Sequence, residues 1–150
     1  MMANPISPHD PRLAAWSAFL RAHARIVRRL EAELQADQDL ALTDYDVLVQ
    51  LAQADEQRLR MSELADRLML SRSGATRLVD RLVAAGLVER VTCDDDRRGQ
   101  WASLTDAGHE RLRRASPTHL RGVGDHFLDR LTADELQGLG RIFTRLSDDG

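Results

Sequence analysis

The side chains here that can do specific chemistry are arginines and hydroxyls set at helical spacing, followed by a short charged segment. Arg72, Ser73, Thr76, Arg77, Asp80 and Arg81 fall on one side of the stretch 72–85, while Ala75, Leu78, Val79 and Leu82 fall on the other. A guanidinium fork can meet O6 and N7 of a guanine in two parallel hydrogen bonds, and Ser or Thr can donate, accept or touch a thymine methyl. This is recognition chemistry, with no bond to break. Ser73, Thr76 and Arg77 are the candidate base readers, and Arg72 and Arg81 the candidate phosphate holders, together with Ser62 upstream. Gly74 has no side chain and permits close backbone approach. Asp96, Arg97 and Arg98 then stand together before Gly99. A long arginine on a protruding loop can enter the narrow minor groove, where the potential is most negative, and Asp96 is placed to accept from Arg98 and fix its direction. A solvated helix face or a soluble turn would produce either feature alone. Their succession points to DNA, although Asp94 and Asp95 run against phosphate contact.

The elements needed to position these groups are legible from periodicity. Leu13, Trp16, Phe19, Leu20, His23, Ile26, Val27, Leu30 and Leu34 recur at three- and four-residue steps and predict a first helix. Thr43 is the expected N-cap of a second helix, with Asp46 completing a capping box. Ser62 is expected to open a short third helix, Leu70-Ser71 to make a tight turn, and the 72–85 helix to stop at Gly86 in the C′ position. Residues 87–91 and 101–104 alternate as two half-buried strands, with 93–99 as the polar tip between them. Thr105 caps a fifth helix, in which Pro117 predicts a kink or break. Thr132-Ala133-Asp134-Glu135 is a capping box that opens the last helix. The expected fold is mainly α with a small β-hairpin wing. Residues 1–12 form an arm, 41–104 a winged helix-turn-helix lobe, and 13–40 with 105–148 helices whose apolar surface exceeds what the lobe can hide, so that a second copy is expected to cover it.

At 150 residues and 43% hydrophobic content, with only 4% aromatic, the chain is globular with an aliphatic core. Its net charge of -3 excludes an indiscriminate nucleic-acid coat, but residues 58–81 hold six arginines against three acids. All 21 basic residues are arginine. No apolar run reaches the roughly 20 residues of a membrane span, Met1-Met2-Ala3-Asn4-Pro5 carries no signal-peptide pattern, and Cys93 is the single cysteine. A cytoplasmic protein is expected, with no membrane partner. Cys93 precedes three aspartates, which disfavour its thiolate. His119, Asp125, His126 and Asp129 match no metal-ligand spacing. No nucleophile elbow, phosphate-binding glycine loop or zinc-protease motif occurs, so no enzyme, cofactor or metal is expected.

In order and in motifs, the chain from about 13 to 147 resembles the MarR family of winged helix-turn-helix transcriptional regulators. The residues that carry the resemblance are 62–70, Ser71-Arg72-Ser73-Gly74-Ala75-Thr76-Arg77-Leu78-Val79-Asp80-Arg81-Leu82, Gly86-Leu87-Val88-Glu89-Arg90, Asp96-Arg97-Arg98 and Leu104-Thr105-Asp106-Ala107-Gly108. The resemblance implies a homodimer built from the first and last helices that binds double-stranded DNA at a pseudo-palindromic operator. It also implies a repressor, Asp96 and Arg98 as the wing pair, and release by a small phenolic or similar ligand or by thiol oxidation. A pocket for such a ligand could be lined by Trp16, His23 and Tyr45, polar-tipped groups on apolar faces that ordinary core packing also explains. Peroxide sensing through a cysteine at the start of the first helix is disfavoured, because none is there. The alternative is a dimeric winged-helix module that binds protein partners without specific DNA binding, which the acidic net charge fits.

Overall fold

The computed structural model describes residues 5–92 and 99–148. Its elements follow in the order α1 (Leu13–Gln38), α2 (Leu42–Gln53), β1 (Arg58–Arg60), α3 (Met61–Arg67), α4 (Arg72–Ala84), β2 (Val88–Thr92), β3 (Gln100–Leu104), α5 (Asp106–His126) and α6 (Ala133–Ser147). The chain divides into two compact units, Glu33–Arg121 and Met1–Ala32 with Gly122–Gly150.

The core of the 33–121 unit is aliphatic, as its composition requires. Val47, Leu48 and Leu51 of α2 pack with Leu59, Leu64, Leu78, Val79, Leu82, Val88, Ala102 and Leu104. Burying a side chain of this size contributes about 1.5–3 kcal/mol, so α4 is held by its apolar stripe and presents its polar one outward. The sheet is antiparallel in the order β1-β3-β2, with Leu59 opposite Ala102 and Val88 opposite Leu104.

Two helix ends set the geometry around α4. After α3 the chain reverses with Met69 at φ 56°, Leu70 N–H donating to Ala65 O at 2.9 Å and Met69 N–H to Asp66 O at 3.1 Å. The same pair of bonds closes α4, where Gly86 at φ 76° allows Leu87 N–H to reach Leu82 O at 3.0 Å. The start of α5 is then locked to this turn. Thr105 Oγ1 donates to Gly86 O at 2.7 Å and accepts from Gly108 N–H at 3.0 Å.

In the terminal unit the helices keep much of their apolar surface in the open. Phe19 of α1 meets Phe143 of α6 at 5.9 Å between ring centroids, and Trp16 lies 6.0 Å from Phe19. Yet Trp16 is 57% exposed and Leu146 73%, and no residue of α6 is buried. The Thr132 capping box is in place, with Thr132 N–H donating to Glu135 Oε2 at 2.8 Å and Glu135 N–H to Thr132 Oγ1 at 3.2 Å.

Four local expectations are corrected. First, α2 begins at Leu42 behind Ala41, with no side-chain cap, rather than at Thr43. Leu40 and Leu42 are both buried, and their packing draws the helix start forward. Second, α3 begins at Met61, so Ser62 lies inside its first turn. Third, Arg58–Arg60 is a third strand, too short to show a period and created by pairing with β3. Fourth, α5 runs unbroken through Pro117. The bond that proline removes would have ended on the carbonyl of Arg113, and both residues are exposed, so solvent can satisfy that carbonyl.

Candidate nucleic-acid interface

Ser71 closes the N-terminus of α4, its Oγ accepting from Gly74 N–H at 3.1 Å and lying 3.2 Å from Ser73 Oγ. A Cβ at Gly74 would stand 3.1 Å from Ser71 Oγ, so the missing side chain gives this cap its room. From this fixed start the helix turns Ala75, Leu78, Val79 and Leu82 into the core and leaves Arg72, Ser73, Thr76 and Arg77 exposed. Among the described residues Arg72 and Arg77 take part in no ion pair, which leaves two uncommitted cations on this face. The remaining charges of α4 are engaged. Arg81 Nη2 contacts Asp44 Oδ1 of α2 at 2.5 Å, and Asp80 pairs with Arg90 of β2.

Ser62, Arg72 and Thr76 converge with Arg60, Met61, Gly99 and Gln100 on one cavity of about 240 Å3. Its floor combines the start of α3, the first turns of α4 and the beginning of β3. Arg60 is held over Trp101 of β3 with its guanidinium carbon 5.1 Å from the ring centroid, and Arg58 stands at the same distance. Such contacts favour a fixed cation over a freely rotating one. Glu56 Oε2 holds Arg58 at 2.5 Å. Trp101 Nε1 is buried and, among the described residues, lacks a hydrogen-bond partner.

The structure therefore brings Ser62, Arg72 and Thr76 to one groove, with Ser73 and Arg77 on the exposed face of the same helix. Arg81 is tied to α2. Asp96, Arg97 and Arg98, with Cys93, Asp94 and Asp95, lie outside the described residues. The three residues named for a ligand divide between the two units. Trp16 and His23 belong to the terminal unit, each within about 6 Å of Phe19 ring to ring. Tyr45 belongs to the other and is buried, its hydroxyl donating to Ser116 Oγ at 3.3 Å and its ring 4.5 Å from that of His119. Burial pushes the His119 pKa below its ordinary 6.5. Sequence reasoning passed over Arg60, Gln100 and Trp101. The signal was present in Arg58-Leu59-Arg60, but only the pairing of Arg60 with Trp101 across β1 and β3 gives it meaning.

Comparison with known proteins places this geometry. The MarR family pattern matches residues 38–99. AbsC, a MarR family transcriptional regulator from Streptomyces coelicolor, is 33% identical, with a TM-score of 0.87 over 97% of this chain and 96% of that one. Sco3205, a MarR family transcriptional regulator from the same organism whose crystal structure is a complex with DNA, is 36% identical, with a TM-score of 0.89 over 95% of this chain and 90% of that one. The transcriptional repressor MprA of Escherichia coli K12 is 39% identical over 75 residues, which span 50% of this chain and 43% of MprA.

Proposed function

The chain belongs to the MarR family of transcriptional regulators, and on that premise we propose that it is a repressor that binds a pseudo-palindromic operator as a homodimer and leaves it when a small molecule binds. The observation that carries this reading is the exposed α4 face, where Arg72, Ser73, Thr76 and Arg77 reach solvent beside a groove lined by Arg60 and Ser62. In this reading Ser73, Thr76 and Arg77 meet base edges in the major groove, and Arg72, Arg81 and Ser62 hold phosphates. Asp96, Arg97 and Arg98 supply the minor-groove contact. Arg81, more than half exposed in its ion pair with Asp44, meets a phosphate from there. The open apolar faces of α1 and α6, with Trp16, Leu20, Ile142 and Leu146 exposed, support a second copy as the dimer partner. The family is one of regulators rather than enzymes, and no catalytic role is proposed.

Selection from random duplexes tests the proposal. The selected sites should contain two inverted half-sites spaced about one helical turn, roughly 10 base pairs, centre to centre, and Arg77→Ala should relax the base preference at one position of each half. Recovery of no common sequence, with binding equal for selected and starting pools, would replace this reading with a protein-binding module.

A further inference from the structure

The terminal unit holds a second concentration of positive charge that DNA recognition does not use. Residues 13–30 of α1 carry Arg21, Arg25, Arg28 and Arg29 and no aspartate or glutamate. Ala22, Arg25, Ile26 and Arg29 stand at i, i+3, i+4 and i+7, so they share one helix face. Across from that face are His126, the last residue of α5, and Arg130, in the short turn Leu128–Arg130. Together these six residues line an open cavity of about 250 Å3.

The six lining residues include three arginines and a histidine and no aspartate or glutamate. Arg25 and Arg29 take part in no ion pair among the described residues, and Arg130 is anchored by its Nε, which donates to the Asp125 carbonyl at 3.0 Å. The nearest acids in sequence, Asp125 and Asp129, do not line the cavity. Two guanidiniums one turn apart on a helix repel each other. An anion between them reverses the sign of that interaction, and guanidinium forks match the oxygen geometry of phosphate.

We propose that this cavity binds a small dianionic ligand of phosphate-monoester chemistry, clasped by Arg25, Arg29 and Arg130 beside His126, with Ala22 and Ile26 as its apolar wall. Three guanidiniums favour a dianion over a single carboxylate, which would leave most of their charge unmatched. The volume lies just below the usual range of small-molecule sites, about 300–1,000 Å3, which suits one phosphate with a short organic part. None of the six residues belongs to the α4 face, so the site stands or falls independently of DNA binding.

The test is an inorganic phosphate titration of the isotope-labelled full chain, followed residue by residue by NMR, with ionic strength held constant by chloride. Saturable shifts should concentrate at Ala22, Arg25, Ile26, Arg29, His126 and Arg130. The double variant Arg25→Gln with Arg29→Gln should weaken binding by about tenfold or more, the loss of one charge-assisted hydrogen bond or more, while Arg21→Gln, on the same helix but outside the cavity, should bind like the parent. Shifts confined to the α4 face, or a double variant that binds as tightly as the parent, would overturn the proposal. So would a parent that ignores phosphate while the double variant loses its oligomeric mass, since these arginines would then hold a second copy. The map on the parent protein decides the matter even if the double variant folds poorly.

Discussion

Replacing Gly108 with alanine sets two opposed effects against each other, and the structure says which one wins. In an open helix the change would stabilise by about 1 kcal/mol, because glycine is a poor helix former. Gly108 is not open. A Cβ there would stand 2.1 Å from the Leu87 carbonyl oxygen, 2.7 Å from Leu104 Cδ1 and 3.0 Å from the Leu87 carbonyl carbon. The first contact is to backbone, which cannot swing aside as a side-chain tip can. The first turn of α5 must therefore move off the end of α4, and the bonds that join them go with it: Thr105 Oγ1 to Gly86 O, Gly108 N–H to Thr105 Oγ1, and Thr105 N–H to Leu87 O. Overpacking costs about 1–3 kcal/mol and each of the three net hydrogen bonds about 1 kcal/mol, so after the helix-forming gain of about 1 kcal/mol the loss should be about 3–5 kcal/mol. With a urea slope of about 2 kcal/mol per molar, the unfolding midpoint should fall by roughly 1.5–2.5 M, measured at one fixed protein concentration because a dimer's stability depends on it. An unchanged midpoint, or a rise matching the helix-forming gain, would refute the reasoning.

Three further perturbations follow from the same geometry. His119 has a pKa below its ordinary 6.5 because burial disfavours its charged form, so the unfolded chain binds the proton more readily; stability should hold above pH 6.5 and decline as pH falls through 6.5 towards the lower folded value, and His119→Phe should flatten that part of a pH series of urea melts. Gly138→Ala in α6 meets nothing within 4 Å and should raise the thermal midpoint, the equivalent of up to about 1 kcal/mol; a drop would mean that this face is covered in solution. Arg60→Ala should weaken operator binding and lower the slope of log K against log salt by about 1.8, the value of one phosphate contact from each of two subunits, with base preference retained; an unchanged slope would remove Arg60 from the DNA surface.

The main elements were legible because local chemistry and tertiary packing agree in them. The α4 stripe, the glycine that ends it, the Thr105 cap and the Thr132 capping box each rest on neighbours in sequence, and each stands where its residues imply. Two of the misses were decided by contacts distant in sequence, and the Pro117 one by exposure to solvent. β1 exists because β3 pairs with it, α2 starts early because Leu40 and Leu42 are buried, and Pro117 is tolerated because it falls on an exposed side. The candidate interface divides in the same way. Arg72, Ser73, Thr76 and Arg77 follow from helical spacing alone, whereas Arg60 and Gln100 join the groove only through the sheet. Leu104-Thr105-Asp106-Ala107-Gly108, first read only as a motif, acquires a reason in the lock between α4 and α5.

The measurement that tests the central claim most directly is a fluorescence-anisotropy titration of a selected duplex and its scrambled counterpart across a salt series. The account predicts that the selected duplex binds about a thousandfold tighter or more at physiological salt, and that binding to both weakens steeply as salt rises. Arg77→Ala should narrow the gap between them. Equal affinity for the two duplexes, or binding indifferent to salt, would contradict sequence-specific DNA recognition by the α4 face.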